Sequence, residues 1–478
     1  MTVPSYIFLG FAAAVALAIN VSSKAGWRRG VLFVANIAFF ATFVRRPLEI
    51  VPFGALLAFG YAAMRLVQAR KDRALFIVFV VAVAVAFCWL KRYSFVPAEL
   101  FLPFPYVAVG MSYVFFRIVH LIVDAYQGTL TERLDPLTYV NYTLNFTCLV
   151  AGPIQFYGDY RRSEREDPPP LTGAAAVNGA IRMITGMFKV ALASPALTAL
   201  QTIAVTALAA PQDPPARAWW AALATAAFLV GLYLNFSGYT DFVIGTAVFL
   251  RIALPENFNQ PFLSESFIDF WNRWHITLST WVKTYIYSPV FLAMMRRVPA
   301  PRYQPLLGVA AYFVAFFFVG VWHGQTSEFV MLGVMLGVGV SANKLFQIEM
   351  TKRLGRARYR ALCAQPLWRA TSRALTFSWF AVAALFFWST WSQLGRFGAL
   401  LGPTGLAAYA VVLLAGSAVV LSAYAAFDRA IVGLRLDGTP FVLSPYYRAV
   451  CYTALAVVVF SFTVILNAPA AHVVYKAF

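Results

Sequence analysis

QPLLGVAAYFVAFFFVGVWHG, residues 304–324, carries no charged side chain and closes on Trp322-His323-Gly324. Its apolar part, 304–322, is close to the ~20 residues that cross a hydrocarbon core as a helix. Further apolar runs occupy 5–21, 31–44, 48–66, 74–90, 99–123, 174–208, 217–250, 327–347, 375–393, 403–427 and 449–467. Mean hydropathy is +0.71, and 12% of residues are charged, against about 25% in soluble domains. The expected fold class is therefore an all-α polytopic membrane protein. Alternating β-barrel patterning is absent, which leaves a helical bundle as the spanning solution.

Stretches 138–158 and 276–295 are apolar but interrupted by polar and aromatic residues, and they read as re-entrant or interfacial. The first basic residue is Lys24, so 1–18 is read as a first span and not as a signal peptide. Net charge is +19, and the Lys and Arg residues sit in short loops between apolar runs. Retention of basic loops on the cytoplasmic side explains that charge without nucleic acid. Lys24, Arg28 and Arg29, then Arg70, Lys71 and Arg73, then the run from Lys352 to Arg373 are expected to be cytoplasmic. Both termini are then extracytoplasmic. Arg45-Arg46 and Lys91-Arg92 fall on the other side and are expected to snorkel. The four cysteines form no C-x-x-C pair, so neither a metal site nor a disulfide framework is indicated.

Histidine is scarce, with four in 478 residues. Two stand in polar-aromatic motifs: Phe270-Trp271-Asn272-Arg273-Trp274-His275 and Val321-Trp322-His323-Gly324. An ionisable group at membrane depth is costly, and imidazole is suited to moving a proton near neutral pH. If 270–281 is helical, Trp271, Trp274, His275 and Leu278 share a face while Arg273 points elsewhere, toward a phosphate or other anion. No G-x-S-x-G elbow, P-loop or H-E-x-x-H spacing is present. A histidine without a serine or cysteine nucleophile suits general-base activation of a hydroxyl that attacks a thioester.

Three other constellations stand out. Arg117, His120 and Asp124 fall on one helix face, as an internal network or a proton path. Asn235-Phe236-Ser237-Gly238-Tyr239-Thr240-Asp241 interrupts an apolar run, either lining a cavity or packing helices through small residues. Leu254–Phe262 holds two prolines and cannot be one helix; it is expected along the cytoplasmic interface.

These stretches, with Gly110-Met111-Ser112-Tyr113 and Val150-Ala151-Gly152-Pro153-Ile154, resemble the membrane-bound O-acyltransferase superfamily. The resemblance is to its bacterial branch of alginate O-acetyltransferase membrane subunits and teichoic acid D-alanyl transfer proteins, and it covers about residues 100–350. It implies a ring of about 11–12 transmembrane helices with re-entrant segments and a central funnel. The corresponding organisation is N-terminal helices over 1–98, a core over 99–350 and C-terminal helices with an extracytoplasmic tail over 351–478.

The resemblance makes His323 the catalytic residue and His275 a second essential or supporting one. Trp322, Asn272, Arg273, Trp274, Asp241 and Tyr239 become site-lining or donor-binding candidates. Val473-Val474-Tyr475-Lys476-Ala477-Phe478 is similar to the ending of polysaccharide O-acetylating members, which makes Tyr475 an acyl-relay candidate. No bound cofactor is expected. The co-substrate is an acyl thioester, acetyl-CoA or an acyl-carrier protein, on the cytoplasmic side of a bacterial inner membrane. The acceptor is a cell-surface polymer or an extracytoplasmic transferase partner. Phe-Trp-Asn-Arg-Trp-His leans toward the D-alanyl type and the C-terminus toward the acetyl type. A transporter or flippase using Arg117, His120, Asp124 and Asp241 is the rival of another class.

Overall fold

The computed structural model describes residues 1–166, 168–436, 439–440, 442 and 444–465. It is built of α-helices, with one two-residue antiparallel ladder pairing Arg435–Leu436 with Thr439–Pro440. Among the described residues, nine helical stretches are long and apolar enough to cross a membrane. The apolar helix Tyr6–Asn20 is shorter. The chain is an all-α polytopic membrane protein, and its helices follow the apolar runs of the sequence.

Two helix boundaries differ from the sequence expectation for identifiable reasons. The run expected from 99 passes through a single 3-10 turn, Ala98–Leu100, and becomes α-helical only at Met111. Pro103 and Pro105 lack donors, and Gly110 turns the chain at φ 76, where an added Cβ would stand 2.7 Å from the Leu149 carbonyl oxygen. The run expected from 403 belongs to a helix spanning Trp391–Gly433, interrupted by Gly402 at φ 63. A Thr390 capping box starts that helix.

The chain divides into two units. One comprises Met1–Ala191, Asn235–Glu256 and Ser461–Phe478; the other comprises Leu192–Leu234 and Asn257–Phe460.

In the first unit, the Gly173–Phe188 helix meets the later part of the Pro214–Phe249 helix through glycines. A Cβ on Gly186 would lie 2.5 Å from the Gly238 carbonyl oxygen, and one on Gly245 would lie 2.6 Å from that of Gly179. Asn235–Asp241 is thus uninterrupted helix, and its small residue serves packing. The expected re-entrant stretch leaves the helix after Pro136–Thr143 and runs irregularly through buried 144–155. Arg117 holds this backbone. Its guanidinium donates to the carbonyls of Tyr142 (3.2 Å), Thr143 (2.7 Å) and Cys148 (3.1 Å). Non-helical backbone at membrane depth needs such internal donors.

In the second unit, the Gln304–His323 and Ser327–Cys363 helices touch backbone to backbone. A Cβ on Gly320 would stand 2.1 Å from the Gly333 nitrogen. The Ser341 hydroxyl donates to the Val309 carbonyl at 3.1 Å across the same pair. The second stretch read as re-entrant or interfacial, 276–295, is helical throughout: Ile276–Val282, a π-helical turn Lys283–Tyr287, and Ser288–Arg297.

Candidate functional site

The Phe267–Trp271 helix ends two residues into the first histidine motif, so 270–281 is not one helical face as its spacing suggested. The chain turns at 272–275, and His275 takes a left-handed φ of 44°. The cause is long-range. The stretch after Pro255 pairs with the motif as an antiparallel bridge between Phe258 and Trp274. The Asn259 N–H donates to the Arg273 carbonyl at 2.9 Å, and the Ile276 N–H donates to the Asn257 carbonyl at 3.0 Å. These bonds hold a conformation that a non-glycine residue adopts only when its surroundings over-determine it, at a cost of about 1–3 kcal/mol.

The Asn257 side chain then locks the ring. Its Oδ1 accepts from the Thr277 N–H at 3.2 Å and the Thr277 hydroxyl at 2.9 Å, and it lies 3.1 Å from His275 Nδ1. A backbone N–H can only donate, so that Asn257 atom is the oxygen and not the amide nitrogen. Facing an acceptor, Nδ1 carries the proton. Neutral His275 is therefore the Nδ1–H tautomer, with its lone pair on Nε2. His275 and Asn257 are both fully buried.

His323 is the last residue of its helix, and Gly324 continues in extended conformation. Gly324 sits so close to the Phe329 ring that a Cβ would come within 2.1 Å of it. The His323 ring is buried edge-on to Phe387, with centroids 5.3 Å apart, and 4.7 Å from the ring of Trp322. His275 and His323 both lie in the second unit, and both are buried.

The remaining candidates distribute as follows. Trp274 is buried among Phe258, Phe270 and Phe380, at centroid distances of 5.3, 5.5 and 5.2 Å. Arg273 pairs with Asp269 at 3.0 Å, and Asn272 is exposed. Tyr239 and Asp241 take partners within the first unit. The Tyr239 oxygen accepts from the Ala151 N–H at 3.4 Å. Asp241 receives Arg182 Nε at 3.0 Å and Lys189 Nζ at 2.7 Å, and Arg182 also pairs with Glu256. His120 Nε2 accepts from the Tyr157 N–H at 3.0 Å. Tyr475 lies outside the described residues.

The family model of the membrane-bound O-acyltransferases matches residues 125–389, more than half of the chain and inclusive of both histidine motifs. The chain belongs to the membrane-bound O-acyltransferase family. It is 27% identical over 304 residues to the probable alginate O-acetylase of Azotobacter vinelandii, covering 62% of this chain and 56% of that protein. It is 29% identical over 245 residues to the teichoic acid D-alanyltransferase of Bacillus subtilis, covering 50% and 59%. It is 35% identical over 130 residues to the peptidoglycan O-acetyltransferase of Helicobacter pylori, covering 27% and 23%. The chain spans about half the length of the alginate and teichoic acid relatives.

The sequence points to both imidazoles but not to Asn257 as the partner of His275. One signal was available. A short amide between Pro255 and Pro261 stands where no helix can satisfy its side chain, so it needed a specific partner elsewhere. Chemically, one buried imidazole has its proton position fixed, and a second ends its helix buried against the Trp322 and Phe387 rings. Such an arrangement can accept a hydroxyl proton and return it to a leaving group.

Proposed function

We propose that this chain is an O-acyltransferase that moves an acyl group from a cytoplasmic thioester to a hydroxyl acceptor at the extracytoplasmic face of a bacterial inner membrane. The observation that supports this most is the buried His275 whose proton Asn257 sets, with His323 buried in the same unit. His323 accepts the acceptor's O–H proton while the oxygen attacks the thioester carbonyl carbon. The tetrahedral intermediate then collapses. The C–S bond breaks, the ester remains on the acceptor oxygen, and the proton held on imidazole passes to the departing sulfur. An already activated donor needs no covalent intermediate on the enzyme. Exclusion of bulk water by the surrounding aromatic rings limits hydrolysis of the thioester. His275 orients the donor or assists the proton transfer.

Acetyl is the favoured group and a surface polysaccharide, or a transferase that modifies it, the favoured acceptor. This follows the alginate and peptidoglycan relatives, both named for O-acetylation. D-alanyl transfer from a carrier protein is the second reading, favoured by the relative named for teichoic acid. The basic run from Lys352 to Arg373 has no acidic residue and suits either anionic donor, acetyl-CoA or an acidic carrier protein. Tyr475 would relay the acyl group as a phenyl ester at the extracytoplasmic mouth. The Tyr475→Phe protein, unable to form that ester, should then leave the polymer unmodified.

A transporter acting through Arg117, His120, Asp124 and Asp241 receives less support. Arg117 is occupied by three backbone carbonyls and Asp241 by two cations, which is structural work. Reconstituted protein supplied with radiolabelled acetyl thioester and a polysaccharide acceptor separates the classes. Protein-dependent, base-labile label on the acceptor supports transfer. Label that crosses the vesicle unchanged as thioester, with no ester formed, contradicts it.

A further inference from the structure

Beside the first histidine motif the second unit holds a cavity of about 170 Å³ whose polar lining is neutral or positively charged. Trp271, Asn272, Ser279, Lys283, Tyr287 and Tyr312 contribute an indole N–H, an amide, three hydroxyls and an ammonium group. No carboxylate lines it. Trp271 Nε1 is buried and meets no hydrogen-bond acceptor among the described residues. An indole nitrogen can only donate, so it lacks an acceptor that the cavity itself could contain. The Asp269 carboxylate, which could have neutralised the region, is engaged by Arg273 at 3.0 Å. Lys283 has no ion pair among the described residues and begins the π-helical turn that ends at Tyr287. Single π-turns within helices recur where side chains are directed at a ligand.

We infer that this cavity is an anion subsite that binds a phosphate ester, with Lys283 supplying the charge and Trp271 a buried donor. A phosphate presents only acceptor oxygens and negative charge, complementary to an array of donors around one ammonium. The volume admits a phosphoryl group with a few attached atoms and excludes a whole nucleotide. The inference rests on the thioester-transfer reading for its consequence: the phosphate of a phosphopantetheine-type donor would anchor the arm whose sulfur carries the acyl group. The headgroup phosphate of a phospholipid offers the same chemistry from a second source.

Binding tests the subsite without requiring turnover. Purified full-length protein in dodecyl maltoside, free of phospholipid, is titrated with 4′-phosphopantetheine and with pantetheine, which differ only in the phosphate. The wild type should bind the phosphorylated compound about tenfold or more tightly, in the range of a charge-assisted hydrogen bond. Lys283→Met should bring the ratio close to one, Lys283→Arg should retain most of it, and Trp271→Phe should reduce it. Repeating the titration in phosphatidylglycerol discs identifies the source. Loss of the preference there, with Lys283-dependent thermal stabilisation by phosphatidylglycerol, assigns the subsite to lipid headgroups. A ratio near one in wild type, with no Lys283-dependent effect of phosphatidylglycerol, overturns the subsite. Protein that transfers acyl groups yet shows that flat ratio loses only this inference; protein that binds the phosphate but forms no ester loses only the transfer reading.

Discussion

Asn257 Oδ1 stands 3.1 Å from His275 Nδ1, and the same oxygen takes both donors of Thr277. Three donors converge on one acceptor, so the ring of His275 is fixed in orientation and in tautomer.

Removing that acceptor should therefore act on proton chemistry. Asn257→Leu keeps the side-chain size and loses Oδ1; acyl transfer should fall by about 10²-fold, the scale of one misplaced acid–base group. Asn257→Asp keeps an acceptor and adds negative charge beside the imidazole, which favours the imidazolium. Its activity should survive, with the acidic limb of the pH–rate profile moved to higher pH. Full activity in the Leu protein, or an unmoved limb in the Asp protein, would leave Asn257 a packing residue.

A second expectation concerns helix contact. At Gly320 the neighbouring atoms belong to the Leu332 and Gly333 backbone and cannot rotate away. Gly320→Ala should destabilise the protein by at least about 1–3 kcal/mol, the usual cost of overpacking, and Gly320→Leu should prevent its recovery as a monodisperse species. Gly395→Ala, at a site with nothing within 4 Å, is the control. Size-exclusion profiles and melting temperatures of the three variants in one detergent test this; equal melting temperatures for Gly320→Ala and wild type would contradict the contact.

Asp241 distinguishes structure from pathway. Its carboxylate balances Arg182 and Lys189, and all three side chains are less than a third exposed. Asp241→Asn leaves two cations with a neutral partner, so the melting temperature should drop clearly. Activity per folded molecule should change much less. An unchanged melting temperature with lost activity would instead give Asp241 a direct part in transfer.

How much of this was legible in the sequence depends on the range of the forces involved. Hydropathy and length placed the helices well, because crossing a bilayer is decided residue by residue along one segment. The scarcity of imidazole singled out His275 and His323. The conformation at His275 was not legible, since the 3–4 spacing of Trp271, Trp274 and Leu278 reads as helix. A bridge from Phe258, sixteen residues earlier, overrides it. Asn257 was missed for the same reason. The polar residues that break up the apolar stretch 276–295 do not break its helix, because its Thr and Ser hydroxyls are absorbed by the helix itself. Thr280 and Thr284 donate to carbonyls four residues back, at 2.8 and 2.9 Å.

Orientation is open to direct labelling. Arg358 and Arg396 are exposed and separated by the single Pro366–Trp388 helix. In a background lacking the four native cysteines, a cysteine at 358 should react with an impermeant maleimide only from the cytoplasmic side, and one at 396 only from the opposite side. Reaction of both from one side would remove the Pro366–Trp388 helix as a crossing, and with it the assignment of the basic run.

The most direct test is acyl transfer by the His323→Ala protein. Substitution removes a proton acceptor without adding charge, so expression, monodispersity and membrane insertion should match wild type. Initial rates of labelled ester formation from an acetyl thioester, measured at saturating donor, should fall by at least about 10²-fold if His323 is the general base. A rate within a few-fold of wild type would contradict the proposed mechanism at its centre.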